Sequence, residues 1–368
     1  MILKASSLYF WFQLASFVPV VICQYGAEYD NRFEEYLYSP LVPNYWSPEC
    51  QDGSKSQGLD VDVIKGINGY YIELFSGHQK RKYRFQLDTQ SYVSWLVGEE
   101  CPKCLEYYGD RKLHDGIVVY PYNPKYAFVF NVEDVSVAMY TSNNRINLDY
   151  KCKENVFLMV ASSSSKPMDS VLYYDGVLGL GYPKIDPKYP SIKRTTLIEK
   201  FLKPKKILTI NMKPGVEKIS FGYLNTKNTN GNTIWIKSSE INTFNTKTQN
   251  ITLGSKNFKN QNTVVLNPKY QDSYFPSNVV GYIKDQVAKS GNCTYVGHIP
   301  IITFYIDDNM FTLRPRDYMA FVNGVCVPTI QEIDYGKHHS DSIILGQNFF
   351  KKYVVTFDYD KRQIGFTL

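Results

Sequence analysis

The segment Phe85-Gln86-Leu87-Asp88-Thr89-Gln90-Ser91 closes an apolar β-type run on a short polar turn, with Trp95 seven residues beyond the aspartate. Far downstream, Val264-Val265-Leu266-Asn267-Pro268-Lys269 repeats that outline. Each is followed much later by an apolar-Leu-Gly segment. The first of these is Asp175-Gly-Val-Leu-Gly-Leu-Gly181-Tyr-Pro183, and the second is Ile343-Ile-Leu-Gly346-Gln-Asn-Phe-Phe350. Val354-Val-Thr-Phe-Asp358 and Ile364-Gly-Phe366 close the chain.

The surrounding sequence has the same character. YYIELF, YRFQLDT, GIVVYPY, YAFVFNVEDVSVAMY, VFLMVAS, TIWIK, TVVLN, IITFYID and YVVTFDYD are rich in Val, Ile, Tyr and Phe, with a period close to two. Asn, Gly, Ser and Lys clusters separate them. The most polar stretch, Asn225 to Thr252, is interrupted by TIWIK and reads as hairpins rather than disorder. Helix signals are few: Ser277 as a cap for a helix with Val279, Val280, Ile283 and Val287 on one face, and a second candidate from Ser191 to Leu202. The expectation is a mostly-β chain in two lobes.

With 43% hydrophobic and 21% charged residues over 368 positions, the chain can bury a sizeable core and is neither disordered nor fibrous. Its formal charge of +6 is mild and its lysines are scattered, so no nucleic-acid footprint follows. Lys4 precedes a mostly apolar Leu8–Cys23, which Gln13, Ser16 and Pro19 interrupt. This reads as a signal peptide over 1–23 rather than a membrane anchor. Beyond it, no apolar run is long enough for a polytopic membrane protein.

Six cysteines follow the leader: Cys50, Cys101, Cys104, Cys152, Cys293 and Cys326. An even count on a secretory route suggests three disulfides of open connectivity, while Cys101-Pro-Lys-Cys104 alone also fits half of a zinc site or a redox pair. Asn250-Ile-Thr252 and Asn292-Cys-Thr294 are glycosylation sequons. His78, His114, His298, His338 and His339 show no metal spacing, and neither a nucleophile elbow nor a phosphate-binding glycine loop appears. No cofactor or metal is expected.

Taken as an ordered set, the four segments resemble the pepsin-like aspartic peptidases, over roughly Asp60 to Leu368. In that family the first turn reads Asp-Thr-Gly-Ser with a Trp seven residues on; Asp88, Thr89, Ser91 and Trp95 match, and Gln90 replaces the Gly. The resemblance implies a bilobal fold, with lobes over 58–209 and 210–368 after an extension or prosegment remnant at 24–57. It implies a small disulfide from Cys101 to Cys104 and a second from Cys293 to Cys326, which leaves Cys50 and Cys152 as the third pair. It also implies a flap tyrosine, either Tyr120 or Tyr122, over the cleft. Family zymogens plug their acidic centre with a basic prosegment, whereas 24–57 here leans acidic.

Family catalysis needs two carboxylates in contact, sharing one proton and holding a water. With Pro276 kept in register, Asn267 falls where the second Asp belongs, Pro268 on the Thr and Lys269 on the Gly. An amide supplies neither an ionisable proton nor base strength, and Pro268 lacks both hydroxyl and N–H. The expected protein is therefore a secreted, monomeric, catalytically silent member. Its cleft is lined by Asp88, Thr89, Gln90, Ser91, Asn267, Pro268, Lys269 and a flap Tyr, and it binds a peptide or protein there. The competing expectation is a peptidase acting through Asp88 and another carboxylate, with Asp272 the nearest candidate. A structural secreted component is a third class, which no repeat supports.

Overall fold

The structure, a computed structural model, describes residues 58–66, 69–76, 81–98, 101, 104, 128–132, 135–142, 145–147, 154–155, 158–166, 174–183, 201–202, 204–227, 229–240, 243–258, 262–290, 296–323, 325–333 and 342–368. Strands dominate, as the period of two predicts. The strand Leu59–Gly66 changes partners midway. Leu59–Asp62 pair antiparallel with Lys218–Phe221, and Val63–Gly66 pair with Gly69–Ile72. That switch joins two layers into a fifteen-stranded sheet. On one side run Ile207–Asn211, Val354–Asp358, Gln363–Thr367 and Ile234–Lys237, so the middle and end of the chain are sewn to its beginning. On the other side run Gly69–Ser76, Arg81–Asp88, Gly176–Gly179, Trp95–Val97, Leu158–Ser164, Val135–Ser142 and Phe128–Val132.

A separate eight-stranded sheet uses the second half of the chain, with Asn262–Leu266 and Ser342–Leu345 at its centre. The result is the mostly-β, bilobal architecture expected from the sequence. TIWIK is a strand, but its partner is the distant Gln363–Thr367 rather than a local hairpin. The helix Ser277–Lys289 buries Val279, Val280, Ile283 and Val287 as its spacing predicts. Its start differs from the expectation. Pro276 holds the cap position with no side-chain cap bond, and Ser277 is the first helical residue. The second helix candidate lies largely outside the described residues, as does GIVVYPY.

Two apolar clusters hold the sheets. The larger runs from Val61 to Phe366, and its second-half portion packs Phe304, Phe311, Phe349, Tyr353 and Phe366 ring against ring. The smaller surrounds Trp95 and includes Cys101 and Cys104, which are joined as a disulfide. Between them, the Asp175 carboxylate accepts Arg84 N at 2.7 Å and Arg84 Nη2 at 3.0 Å. The Asp175 side chain is almost fully buried, so this bidentate partner is what makes its charge tolerable there. It pins Gly176–Gly179 parallel to Phe85–Asp88.

Several tyrosines anchor the core through their hydroxyls. Tyr174 donates to Gly69 O at 2.8 Å, Tyr359 to Leu180 O and Tyr318 to Pro300 O. Burial, with a smaller push from Tyr71, raises Tyr174 to about 12, against an opposing pull from Arg84. Burial also raises Tyr318 and Tyr359. A phenol whose folded pKa is raised contributes fully below its unfolded value near 10, and that contribution is lost as pH climbs through the folded value. Stability should therefore fall between about pH 10 and 12, with Tyr174 alone accounting for about 2–3 kcal/mol at the upper end. Urea unfolding across that range is the check, and Tyr174→Phe should flatten the decline by that share.

Candidate functional site

Both polar turns are built on one plan. Asp88 ends the strand Arg81–Asp88, and its Oδ1 accepts the backbone N–H groups of Gln90 (2.9 Å) and Ser91 (3.1 Å). Asn267 follows the strand Asn262–Leu266, and its Oδ1 accepts Lys269 N at 3.1 Å. Short Asx side chains favour such self-bonded turns. The glycine-rich segments then cross behind them. Leu180 N donates to Asp88 O at 2.7 Å, and Gly181 N to Ser91 O at 2.7 Å. In the second half Asn267 N donates to Leu345 O at 3.0 Å, and Gln347 N to Tyr270 O at 2.8 Å. The crossings are close enough to demand glycine. A Cβ on Gly179 would sit 2.6 Å from Val93 O, and one on Gly346 2.1 Å from Asp272 O.

The two turns meet face to face. Asn267 Nδ2 donates to Asp88 Oδ1 at 3.0 Å, and the Thr89 hydroxyl donates to Leu266 O. The amide's orientation is settled by its partners, since only oxygen can face the Lys269 N–H and only NH₂ the carboxylate. The hydroxyl bridge runs one way only. Pro268 has no side-chain donor to return to the first turn, and its carbonyl instead accepts Gln347 Nε2 at 2.8 Å. Thr89, Asn267, Pro268 and Lys269 are buried, Asp88 and Ser91 half-buried, and Gln90 exposed. The Lys269 ammonium lies 5.6 Å from the centre of the Tyr270 ring.

Two carboxylates this close cannot both ionise and must share a proton. A carboxylate facing an amide has no such requirement. The amide NH₂ satisfies one lone pair of Asp88 and neither gives up nor takes a proton in the ordinary pH range. Asp272 is directed elsewhere, with its Oδ2 accepting Gln331 Nε2 at 2.9 Å. Burial and then Lys65 lower the pKa of Lys351, and the Asp272 charge partly opposes them.

The structure thus brings Asp88, Thr89, Asn267 and Pro268 into one centre. Asn250 is half-buried in the strand Thr246–Leu253, beside an irregularity in its pairing, and its Oδ1 is buried without a partner. Cys326 is disulfide-bonded. Tyr120, Tyr122, Cys50, Cys152, Cys293 and Asn292 lie outside the described residues. What the motif reading passed over is the support behind the second turn. Gln347 holds Pro268 O, while Ser273 Oγ accepts Gly346 N at 2.9 Å and donates to Asn348 Oδ1. The signal was present as two adjacent amides in the otherwise apolar Ile343–Phe350, where buried polar groups need partners.

Residues 69–368 match the family model described as eukaryotic aspartyl protease. Among similar proteins are a probable vacuolar protease A of Trichophyton verrucosum, 22% identical over 84% of this chain and 80% of that one. Vacuolar protease A of Aspergillus fumigatus is 22% identical over 89% and 86%. Plasmepsin I of Plasmodium falciparum is 24% identical over 86% and 72%.

Because Pro268 cannot return the bridge, Thr89 is the sole hydroxyl link between the turns among the described residues. Thr89→Val keeps the shape and strands the buried Leu266 carbonyl, so it should cost about 1–3 kcal/mol. Urea denaturation of the purified chain measures it.

Proposed function

The chain belongs to the eukaryotic aspartyl protease family, and from that membership we propose a member whose acid–base pair has been dismantled and whose cleft binds a peptide or protein without cutting it. The observation that carries the proposal is the 3.0 Å contact from Asn267 Nδ2 to Asp88 Oδ1. Peptide hydrolysis by this family's chemistry needs one carboxylate to take a proton from water while a protonated partner donates to the scissile carbonyl. Asp88 retains the capacity to accept. Asn267 has no acidic proton to give, and its amide occupies the place where that proton would be held.

Losing one member of an acid–base pair costs about 10²–10⁴-fold in rate. Pro268 and Gln90 add to the loss. The first leaves the hydroxyl bridge without its return half, and the second carries a long side chain where the family has a bare glycine. Lobes over 58–209 and 210–368 would form the two walls of the cleft. The Cys101–Cys104 disulfide supports an oxidising compartment, reached through the apolar leader at 1–23. Relatives named for the vacuole make a lumenal destination as consistent with this reading as release from the cell.

Cleavage of a denatured protein substrate, followed from about pH 2 to about pH 8, tests the proposal. The native chain and Asp88→Ala should both be inert. The combined Asn267→Asp, Pro268→Thr, Lys269→Gly chain should acquire cleavage on the acid side that Asp88→Ala then abolishes. Cleavage by the native chain that disappears with Asp88→Ala would sink the proposal and favour a peptidase with a second carboxylate, for which Asp272→Asn is the next variant.

A further inference from the structure

The ribbon formed by Met319–Val322 and Val325–Pro328 stands apart from both large sheets. From Met319 to Ile330 the sequence contains no charged residue. Val322 pairs with Val325, Ala320 with Val327 and Phe321 with Cys326, so side chains alternate between two faces. One face presents Val322, Val325 and Val327, which are 49%, 43% and 43% exposed. The other carries Phe321, 73% exposed near the tip, while Met319 at its base packs against the core. The tip therefore exposes apolar side chains on both faces. Asn323, at φ 51°, makes the turn, and the disulfide at Cys326 tethers the second strand.

Charge gathers at the base. Arg314 and Arg316 are exposed and lead directly into the ribbon. The acid beside them, Asp317, is already held by Lys352 at 2.9 Å, with Arg316 at 3.7 Å. One carboxylate thus stands among three cations, which leaves an excess of positive charge behind an apolar tip.

A protein partner stacked on a ribbon covers one face, whereas immersion covers both. We propose that this ribbon is a membrane-contact device: Phe321, Val322, Val325 and Val327 enter the lipid interface, and Arg314 and Arg316 meet anionic headgroups. Four residues per strand reach about 13 Å, enough for the tip to enter the roughly 5–10 Å boundary between headgroups and acyl chains. The backbone of the ribbon is paired internally, and the turn at Asn323, which leads the tip, goes no deeper than that boundary. This contact is peripheral, and it does not depend on the state of the Asp88–Asn267 pair.

Flotation of the full chain with vesicles tests it, using phosphatidylcholine alone and phosphatidylcholine with about one-third phosphatidylserine. The chain should float with the anionic vesicles. Phe321→Ser with Val325→Ser should weaken that association about tenfold or more, and Arg314→Gln with Arg316→Gln should do the same on anionic vesicles only. Thermal unfolding shows whether the serine pair remains folded; if it does not, the arginine pair and the dependence on phosphatidylserine decide. Failure of the native chain to float overturns the proposal, as does flotation that a folded serine pair leaves unchanged. If neither floats but the serine pair converts a dimer to a monomer on size exclusion, the ribbon is a contact between copies and the proposal fails.

Discussion

The parallel pairing of Phe85–Asp88 with Gly176–Gly179, matched by that of Thr263–Leu266 with Ser342–Leu345, is the constraint on which the centre rests. Each pairing buries a strand whose last residue must turn sharply, and each turn is locked by the strand that crosses behind it. Side chains at the two turns then have little freedom left. The contact between Asp88 and Asn267 is a consequence of two rigid frameworks facing one another, so chemistry at the centre can change while geometry persists. That persistence explains how a residue without acid–base capacity can occupy such a position without collapse of the site.

The second turn also shows how local bonding takes up the groups around a proline. Proline supplies no hydroxyl to bridge the lobes, yet its carbonyl is drawn to Gln347, whose helix lies entirely in the core. This bond lies within the second half of the chain. Thr89 still reaches the other way. The hydroxyl link runs one way, and the long sheet through Leu59–Gly66, Ile207–Asn211 and Gln363–Thr367 holds the frame around it.

Much of this was legible in the sequence because its signals are local. Alternating apolar residues announced the strands, and Asp-Thr-Gln-Ser with Asp-Gly-Val-Leu-Gly announced the first turn and its crossing partner. The place of Asn267 at the head of the second turn could be read from register with Pro276 alone. Non-local pairing was less accessible. Nothing within TIWIK indicates that its neighbour is Gln363–Thr367, since a strand's pattern specifies which face is buried and leaves its partner open. The Arg84–Asp175 pair and the Gln347 prop were equally hidden, because an isolated polar residue carries no mark of the partner it will meet. Ser277 misled for a related reason: the preceding Pro276 already sets an extended backbone at the helix entrance, and the serine falls one position inside it.

Proline at 268 has a chemical consequence over time. Asparagine side chains age into aspartate chiefly when the next residue's backbone nitrogen attacks their carbonyl, closing a succinimide ring and expelling ammonia. That attack needs an N–H, and proline has none. The ordinary route by which Asn267 would drift into the acid is closed, leaving only direct hydrolysis of an amide that is buried and held at both ends. Ageing of the molecule therefore does not place a second carboxylate at its centre, and Pro268 preserves the amide that faces Asp88.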